Sequence, residues 1–428
     1  MAKEARQPGR HLAIQLTQTG HQNLPSSFKK SSIRSLLPSK EDLRLEYEKW
    51  FKLPEIFPIN GVGVITERDS IVIDFHKKDL INKIAEFASP SITDDVLRLK
   101  YIGNKKGKYP PGDTCDWKLS DARKKLQSEQ NISECIQPLL YRPFDLRPLF
   151  YANYMEDWSR YAVMQHLLSG ENIGLCSNKE TLDDFSHVFC SRNLINACTI
   201  FEKTKKKTYF FPLYLYPKEC EKQLEKQRQH NLNPKIIKLI SEKLGLKFIA
   251  DGKGESQSTL GPEDIFNYAY AIFNSHTYNS RYWEYLKIDY PRLPLTSDKS
   301  LFELLVKKGE ALVALHLMES TELNTPITKY EGSGEHEVDK IRYVTKNQRV
   351  YINDAQYFEG VSPEVWNFHI GGFQVCKNWL KDHGGRRLSI DDIKHYHKII
   401  VVLNGTIRLV KEIDKLIEGQ GGWPQCFK

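Results

Sequence analysis

A long amphipathic helix near the C-terminus is the feature that most constrains the fold of this 428-residue chain. Ser389 is a residue type that commonly caps a helix, and apolar residues then recur at steps of three and four until Gly419. A helix of about 30 residues is longer than the globular average, so its apolar seam needs an extended partner surface. That surface is either the chain's own core or another molecule. The seam comprises Ile390, Ile393, Tyr396, Ile400, Leu403, Ile407, Val410, Ile413 and Ile417.

The rest of the chain alternates between short stretches of strand and helix periodicity. VGVIT and IVIDF, separated by ERDS, are typical of a β-hairpin, and KIRYV and RVYIN flank a second turn. KDLINKIAEFA and NPKIIKLISEKLG have the periodicity and end signals of helices, and SKEDLRLEYEKWF predicts a further helix with Ser39 as its cap. This mixture predicts an α+β protein.

Changes in composition divide the chain into three parts. Residues 1–40 are polar and basic without periodicity, which predicts a leader or a linker, with disorder as one alternative. The charged stretch KECEKQLEKQRQHNLN places an internal boundary at about residue 220. We therefore expect a first α+β lobe at 41–220 and a second at 221–428. The predicted fold is a two-lobed α+β architecture closed by the long C-terminal helix.

Charge and cysteine content are those of an ordinary cytoplasmic protein. The net charge of +8 and the pI of about 8.8 permit a nucleic-acid partner without requiring one. None of the eight cysteines forms a CxxC pair, which argues against a zinc site or a disulfide framework. The sequence contains no stretch of about 18 consecutive apolar residues, so it predicts no membrane span. The first residues also lack the apolar region of a secretory signal. We therefore expect a cytoplasmic protein without a membrane partner.

The sequence lacks the common motifs of catalytic sites. There is no GxxxxGK[ST] loop, no GxSxG elbow and no HExxH helix, and the GxG at Gly61 has no third glycine. No NPPY-like tetrapeptide is present to hold a target amine. His166, His187 and His276 lie among aromatic residues without a spaced partner, so structural roles are favoured over general-base roles. The residues alone predict no catalytic group and no metal ligand.

Several long motifs nevertheless occur in an order that resembles one family, the C-terminal specificity region of type ISP single-polypeptide restriction-modification enzymes. The resemblance covers roughly residues 40–417. Its motifs are YRPFDLRPLFY, NIGLCSNKE, HVFCS, FPLYLYP, PEDIFNYAYAIFNSHTY, LKIDYPRLPL, LVALHLME, VYINDAQYFEGVSPEVWNFHIGGFQVCKNWLKD and RRLSIDDIKHY. Two positions deviate from the family pattern. Pro148 stands where the family has an aromatic residue, and His276 stands where it has proline.

The resemblance implies a target recognition domain that works with catalytic parts located elsewhere. In that family one polypeptide carries a nuclease, a helicase-like ATPase, an adenine-N6 DNA methyltransferase and the recognition domain, and this chain resembles only the last. It would recognise a DNA sequence and direct methylation and cleavage. The resemblance implies S-adenosylmethionine, ATP and magnesium for the full-length family and no cofactor for this chain. The implied partners are double-stranded DNA and a separate methyltransferase or nuclease chain.

Two basic, aromatic stretches contain most of the candidate DNA contacts. In YRPFDLRPLFY, Asp145 is predicted to pair with one arginine while the other faces DNA, and Tyr141 and Phe144 brace the backbone. A purely structural motif is the alternative. In GGFQVCKNWLKDHGGRR, Gly371 and Gly372 permit close backbone approach beside clustered positive charge, and a solvated basic loop is the alternative. The predicted DNA contacts are Arg142, Arg147, Arg160, Arg292, Lys377, Trp379, Lys381, Arg386 and Arg387.

Two other functions stay open at this point. One is an active, site-specific adenine methyltransferase whose cofactor site escapes the motifs, which binding of S-adenosylmethionine would reveal. The other is an inactive gene remnant whose helical seam serves only for association, and a strictly monomeric chain would argue against that role.

Overall fold

Short helices and short strands alternate along the chain, as the sequence predicts. The computed structural model describes residues 40–104, 107–180, 188–200, 207–217, 227–255 and 257–427. Contacts divide the chain into a unit Met1–Leu43, of which residues 40–43 are described, and a unit Arg44–Lys428. The second unit contains the elements that position the candidate site.

Most of the described helices are short, and the C-terminal helix is the longest. No described helix combines the length with the hydropathy that a membrane span requires. Short 3-10 helices lie at Thr321–Asn324, Thr345–Asn347 and Gln425–Phe427. The α-helices are α1 (Lys40–Glu48), α2 (Leu53–Ile56), α3 (Asp69–Val72), α4 (Lys77–Ala88), α5 (Asp94–Tyr101), α6 (Leu119–Gln127), α7 (Tyr161–Leu168), α8 (Pro234–Leu244), α9 (Pro262–Asn274), α10 (His276–Leu286), α11 (Lys299–His316), α12 (Pro363–Trp366), α13 (Val375–Asp382) and α14 (Ile390–Gly419).

The strands form several small sheets rather than one large sheet. They are β1 (Phe51–Lys52), β2 (Gly61–Val62), β3 (Ile136–Arg142), β4 (Asp145–Phe150), β5 (Gly174–Asn178), β6 (Phe189–Ser191), β7 (Leu194–Ile195), β8 (Thr208–Pro212), β9 (Tyr214–Leu215), β10 (Gln229–His230), β11 (Lys247–Phe248), β12 (Thr259–Leu260), β13 (Arg292–Leu293), β14 (Lys329–Glu331), β15 (Arg342–Val344), β16 (Arg349–Tyr351), β17 (Tyr357–Glu359), β18 (His369–Ile370) and β19 (Phe373–Gln374). Two four-stranded sheets have the orders β2-β8-β5-β6 and β14-β17-β16-β15, and a third sheet has the order β4-β3-β7. The predicted α+β class is confirmed.

Helices α9, α11 and α14 form a core in which the helix backbones approach closely. A Cβ atom on Gly309 of α11 would lie 1.8 Å from the carbonyl oxygen of Asn267 in α9, so only glycine permits this contact. His316 joins all three helices, because its Nδ1 atom bonds the Tyr270 hydroxyl and its Nε2 atom lies 3.0 Å from Thr406 Oγ1. Burial lowers the pKa of His316 to about 3, so this histidine is neutral.

The long helix α14 packs within its own chain. The Ser389 hydroxyl accepts a hydrogen bond from the Asp392 backbone N–H at 3.1 Å, and the helix ends at Gly419, both as predicted. At its centre the consecutive residues 399–403 are all buried, so the contact surface is broader than a single seam. Ile390, the first residue of the predicted seam, is 71% exposed. The partner surface of this helix is therefore the chain's own core.

The predicted hairpin of VGVIT and IVIDF is wrong. Gly61–Val62 is a strand, but Asp69–Val72 forms a helical turn instead of a second strand. The Asp69 carboxylate accepts a hydrogen bond from the Thr66 hydroxyl, which closes the turn, and both apolar residues of the turn are fully buried. A short apolar run has no periodicity that separates a buried strand from a buried helical turn.

The predicted helices α4 and α8 are confirmed. Asn233 caps α8 as predicted, because its Oδ1 atom accepts a hydrogen bond from the Lys235 N–H at 3.0 Å. Ser39, the predicted cap of α1, lies outside the described residues. The division into two lobes near residue 220 stays a prediction, and residues 218–226 are not described. Strand pairing crosses that position, because Phe51 of β1 lies opposite Leu293 of β13.

Candidate nucleic-acid interface

Three arginines and three aromatic rings alternate in one stack, to which β3, β4, β19 and the segments next to α4 and α13 contribute. Such cation–π contacts occur roughly once per 70–80 residues, so five of them among six side chains are a marked concentration. We call this set the arginine–aromatic column. In order, its members are Arg386, Phe75, Arg147, Tyr141, Arg142 and Phe373.

Four of the five contacts in the column are close, and the fifth, between Arg142 and the ring centroid of Phe373, is 5.2 Å. The guanidinium carbons of Arg386 and Arg147 lie 3.6 and 4.1 Å from the centroid of the Phe75 ring. Arg147 and Arg142 each lie 4.2 Å from the centroid of Tyr141. The column thus brings together two stretches that the sequence singled out separately, YRPFDLRPLFY and GGFQVCKNWLKDHGGRR.

The hairpin of β3 and β4 supplies the centre of the column. Pro143 and Phe144 form its turn, and Phe144 has a φ of 61°, as a type II turn requires at the position after proline. The turn places Arg142 opposite Asp145. The ring of Phe144 is buried, and its carbonyl oxygen accepts a hydrogen bond from His395 Nε2 at 2.7 Å. Helix α14 therefore fixes the tip of the hairpin.

Asp145 pairs with Arg147. The Arg147 Nε and Nη2 atoms lie 3.0 and 2.7 Å from Asp145 Oδ2, and the two side chains are only 11% and 6% exposed. Arg142 instead donates from Nη1 to the Tyr141 carbonyl oxygen at 2.9 Å. The Tyr141 hydroxyl donates to Asp69 Oδ2 at 2.8 Å, and burial together with this carboxylate raises the pKa of Tyr141. The predicted pairing of Asp145 with one of the two arginines is present.

Arg386 has no carboxylate partner in the part of the chain that the structure describes. Its Nη2 atom lies 3.3 Å from His76 Nε2, and its Nη1 atom is buried without a hydrogen-bond partner among the described residues. Neighbouring carboxylates are engaged elsewhere, since Asp392 caps α14 and Asp74 pairs with Lys83 at 2.7 Å. Burial lowers the pKa of Arg386, although a guanidinium stays charged. This charge therefore lies against the ring of Phe75, while the carboxylates of Asp392, Asp145 and Asp74 act on it without an ion pair.

Trp379 supports helix α13 from inside. It is 5% exposed and stacks on His383, with the ring centroids 3.7 Å apart. The Nδ1 atom of His383 donates to the Trp379 carbonyl oxygen at 2.7 Å, and burial lowers the pKa of His383 to about 4. The indole therefore offers little surface to a base, and its predicted contact with DNA stays a prediction.

The other predicted contacts of this stretch are exposed. Lys377 and Lys381 lie one turn apart on α13, and neither side chain forms a hydrogen bond or an ion pair with another described residue. Arg387 pairs with Glu335 at 2.6 Å on the surface. Helix α13 thus carries two positive charges that no described residue pairs, and the chain enters it directly after Phe373 and reaches Arg386 shortly after its end.

Gly371 and Gly372 form the turn between β18 and β19 and approach the chain itself. Gly371 has a φ of 56°, and a Cβ atom there would lie 2.1 Å from the carbonyl oxygen of Ile200. The Gly372 N–H donates to that same oxygen at 3.1 Å. These glycines permit close packing that places Phe373 at the end of the column.

Arg160 and Arg292 have their described contacts away from the column. Arg160 is exposed at the start of α7 and lies 5.1 Å from the ring centroid of Trp158, which is 52% exposed. Arg292 donates from Nη1 to the carbonyl oxygen of Trp50 at 2.7 Å. A role of either arginine in DNA binding stays a prediction.

An open groove of about 400 Å³ adjoins the Arg142 end of the column. Its lining carries both signs of charge, from Arg142 and Lys207 and from Glu67 and Asp69. Glu67 is exposed at the tip of the loop before α3, with a φ of 52°. It has no hydrogen bond and no ion pair with any residue that the structure describes. The groove therefore offers both hydrogen-bond donors and acceptors.

Sequence reasoning missed three residues of this region, Phe75 and Phe373 of the column and Glu67 of the groove. In the sequence, Phe75 is only an aromatic residue just before a helix, so nothing there indicates that its ring lies between two arginines. Glu67 belongs to a loop that the wrong hairpin prediction treated as a turn. Of the three histidines considered, His166 accepts a hydrogen bond from the Tyr216 N–H at 3.0 Å, which fits a structural role. His276 is exposed, and His187 lies outside the described residues.

Comparison with known proteins identifies one family. A profile of the family described as the Type ISP C-terminal specificity domain matches residues 55–412 of the chain. No curated protein is significantly similar to the chain.

Solved structures with a similar fold have low sequence identity to the chain. A nuclease-deletion mutant of the Type ISP restriction-modification enzyme LlaGI, in complex with a DNA substrate mimic, has a TM-score of 0.58 and 18% identity over 86% of this chain. The ATP-dependent Type ISP enzyme LlaBIII bound to DNA has a TM-score of 0.61 and 16% identity over 86% of the chain. The DrdV–DNA complex has a TM-score of 0.62 and 18% identity over 84% of the chain. The matches cover only 29%, 24% and 36% of those three proteins, respectively.

Proposed function

Because the chain belongs to the family of Type ISP C-terminal specificity domains, we propose that it recognises a specific sequence in double-stranded DNA. The observation that carries this proposal is the arginine–aromatic column. It holds three guanidinium groups in fixed positions against aromatic rings, and one of them, Arg147, also pairs with the buried carboxylate of Asp145. A guanidinium group held in place beforehand loses little side-chain entropy when it binds phosphate or guanine.

The charge distribution around the column supports an anionic partner. Arg386 forms no ion pair with a described carboxylate, and the side chains of two exposed lysines on α13 lie without acidic partners in the described part of the chain. Phosphate groups of DNA would neutralise these charges and release bound counterions, which supplies much of the affinity of DNA-binding proteins.

The catalytic steps of a restriction-modification system would come from other parts. The chain spans 24–36% of the matched proteins, so we propose that it directs adenine-N6 methylation and cleavage that a separate chain or an additional segment performs. S-adenosylmethionine, ATP and magnesium would bind to those parts. Within the described residues no group of three or more His, Cys, Asp or Glu side chains could hold a metal. The protein would act in the cytoplasm, where its DNA target is found.

Selection of bound duplexes from a random DNA pool tests the proposal. The purified chain should enrich one motif at low salt and keep it at moderate salt, because base contacts survive when phosphate attraction weakens. The variant Arg386→Gln should bind the enriched duplex roughly tenfold more weakly, since hydrogen bonds to charged groups contribute about 1.5–3 kcal/mol. Arg408→Gln, which removes an exposed arginine paired with Glu322, is the control. Enrichment of no motif by the folded wild-type chain would refute sequence recognition.

A further inference from the structure

We propose that two surfaces next to the arginine–aromatic column contact different parts of the duplex. The groove beside Arg142 reads base edges, with Glu67 as a specificity-determining residue, and the exposed face of α13 contacts only phosphates. This inference rests on the proposed function, and it specifies which part of the DNA each surface contacts.

The chemistry of DNA separates the two kinds of surface. Backbone phosphates present negative charge and hydrogen-bond acceptors only. Base edges in the major groove present acceptors and also the exocyclic amino groups of cytosine and adenine, which donate. An exposed carboxylate is repelled by a phosphate, whereas it accepts a hydrogen bond from such an amino group. A protein surface that combines carboxylates with cations therefore suits bases, and a surface with only cations suits phosphates.

The groove has the mixed composition that base reading needs. Arg142 and Lys207 supply donors, and Glu67 and Asp69 supply carboxylate oxygens. Asp69 already accepts from the Tyr141 hydroxyl at 2.8 Å, which leaves Glu67 as the exposed acceptor. Its φ of 52° is a backbone region that a residue with a side chain adopts at a cost of about 1–2 kcal/mol. The loop thus holds a carboxylate at a tip where no described residue of the protein binds it.

The face of α13 has the opposite composition. Lys377 and Lys381 lie four residues apart, so both side chains project from the same side of the helix. Arg387 binds Glu335, and Arg386 belongs to the column and has one nitrogen buried and another beside His76. The donors on the exposed face of α13 that pair with no described residue are lysine ammonium groups, which act as point charges rather than as bidentate forks. Such groups fit phosphates.

The test combines duplex selection with the salt dependence of binding for matched variants. In the random pool, Glu67→Gln should change the enriched base at one or two positions. It should weaken binding to the wild-type motif roughly 5- to 150-fold while the salt slope stays constant. Glu67→Gly, which accommodates the positive φ without strain, should change the same positions. Glu242→Gln, the same change on the exposed face of α8, is the control and should leave the motif intact.

The lysine variants should show the reverse behaviour. Lys377→Gln and Lys381→Gln should each reduce the slope of log K against log salt by about 1 and leave the enriched motif unchanged. A wild-type motif that both Glu67 variants retain, or a motif that either lysine variant alters, would overturn this inference and leave sequence recognition standing. A folded wild-type chain that enriches nothing would overturn the proposed function and this inference together.

Discussion

Replacing Asp145 with asparagine tests how strongly the ion pair in the β3–β4 hairpin stabilises the fold. Three contacts of 2.7–3.1 Å join its carboxylate to Arg147, and both side chains are almost entirely buried. Removing one partner of a buried ion pair costs about 3–5 kcal/mol, because the other charge is left uncompensated. The rings of Phe75 and Tyr141 still face Arg147 and offset roughly 1–2 kcal/mol of this loss. We expect Asp145→Asn to lower the free energy of unfolding by about 3 kcal/mol.

Urea and thermal unfolding measure this loss. The entropy of unfolding is about 2 cal/mol/K per residue, so a unit the size of Arg44–Lys428 should show a fall in Tm of roughly 4 °C. Leu146→Ala removes an exposed side chain from the same hairpin and should change the free energy of unfolding by less than about 0.5 kcal/mol. In the double variant Asp145→Asn/Arg147→Met no charge is left unpaired, so it should be more stable than Asp145→Asn alone.

Two results would refute this account of the hairpin. A loss below about 1 kcal/mol for Asp145→Asn would mean that solvent or the aromatic rings compensate the Arg147 charge fully. A double variant less stable than the single variant would mean that the contacts of the arginine stem, rather than the charge pairing, stabilise the hairpin.

Three further predictions follow from the same structure. Phe75→Leu removes the ring that holds Arg386, so affinity for the selected duplex should fall about 3- to 10-fold, as titration by fluorescence anisotropy would show. Phe75→Tyr keeps the ring and should bind normally. Gly309→Ala forces a Cβ atom onto the Asn267 carbonyl oxygen and should lower the free energy of unfolding by about 3 kcal/mol, whereas Gly419→Ala meets no neighbour and should be neutral. Burial lowers the pKa of His383 from 6.5 to about 4, so the folded state binds fewer protons than the unfolded state between these pH values. Stability should be complete above pH 6.5 and fall by up to about 1.4 kcal/mol per pH unit towards pH 4, a slope that His383→Asn should reduce in unfolding experiments at pH 5 and 7.

Local signals determined which elements the sequence predicted well. Helix α8 has a cap, a proline at its first position and a glycine after its end, and α14 has a capping serine and a terminal glycine, so short-range interactions define their limits. The strand prediction for Asp69–Val72 was wrong because the conformation of this segment depends on Thr66 and on burial against distant elements. The sequence predicted a single apolar seam on α14, but the buried surface of this helix is wider, since neighbours on several sides bury its centre.

The candidate site was predictable only in part, because stacking depends on tertiary structure. The sequence identified four of the six members of the column, Tyr141, Arg142, Arg147 and Arg386, from their types and their motifs. It gave no indication that Phe75 would lie between two arginines that are more than 200 positions apart in the chain. It also predicted that Trp379 faces DNA, a role that stays untested, whereas the structure buries its ring on His383.

The pairing of β1 with β13 has a consequence for building hybrid proteins. Phe51 and Lys52 complete their backbone hydrogen bonds with Leu293 and Arg292, so the two halves of the sequence share a ladder. A chimera joined near residue 220 would take β1 from one parent and β13 from the other. It would fold, and could show a new specificity, only if the edges of these two strands are compatible. Exchanging the short segment around Glu67 would leave that ladder untouched. Altered target preference is therefore better sought by grafting loops than by recombining halves.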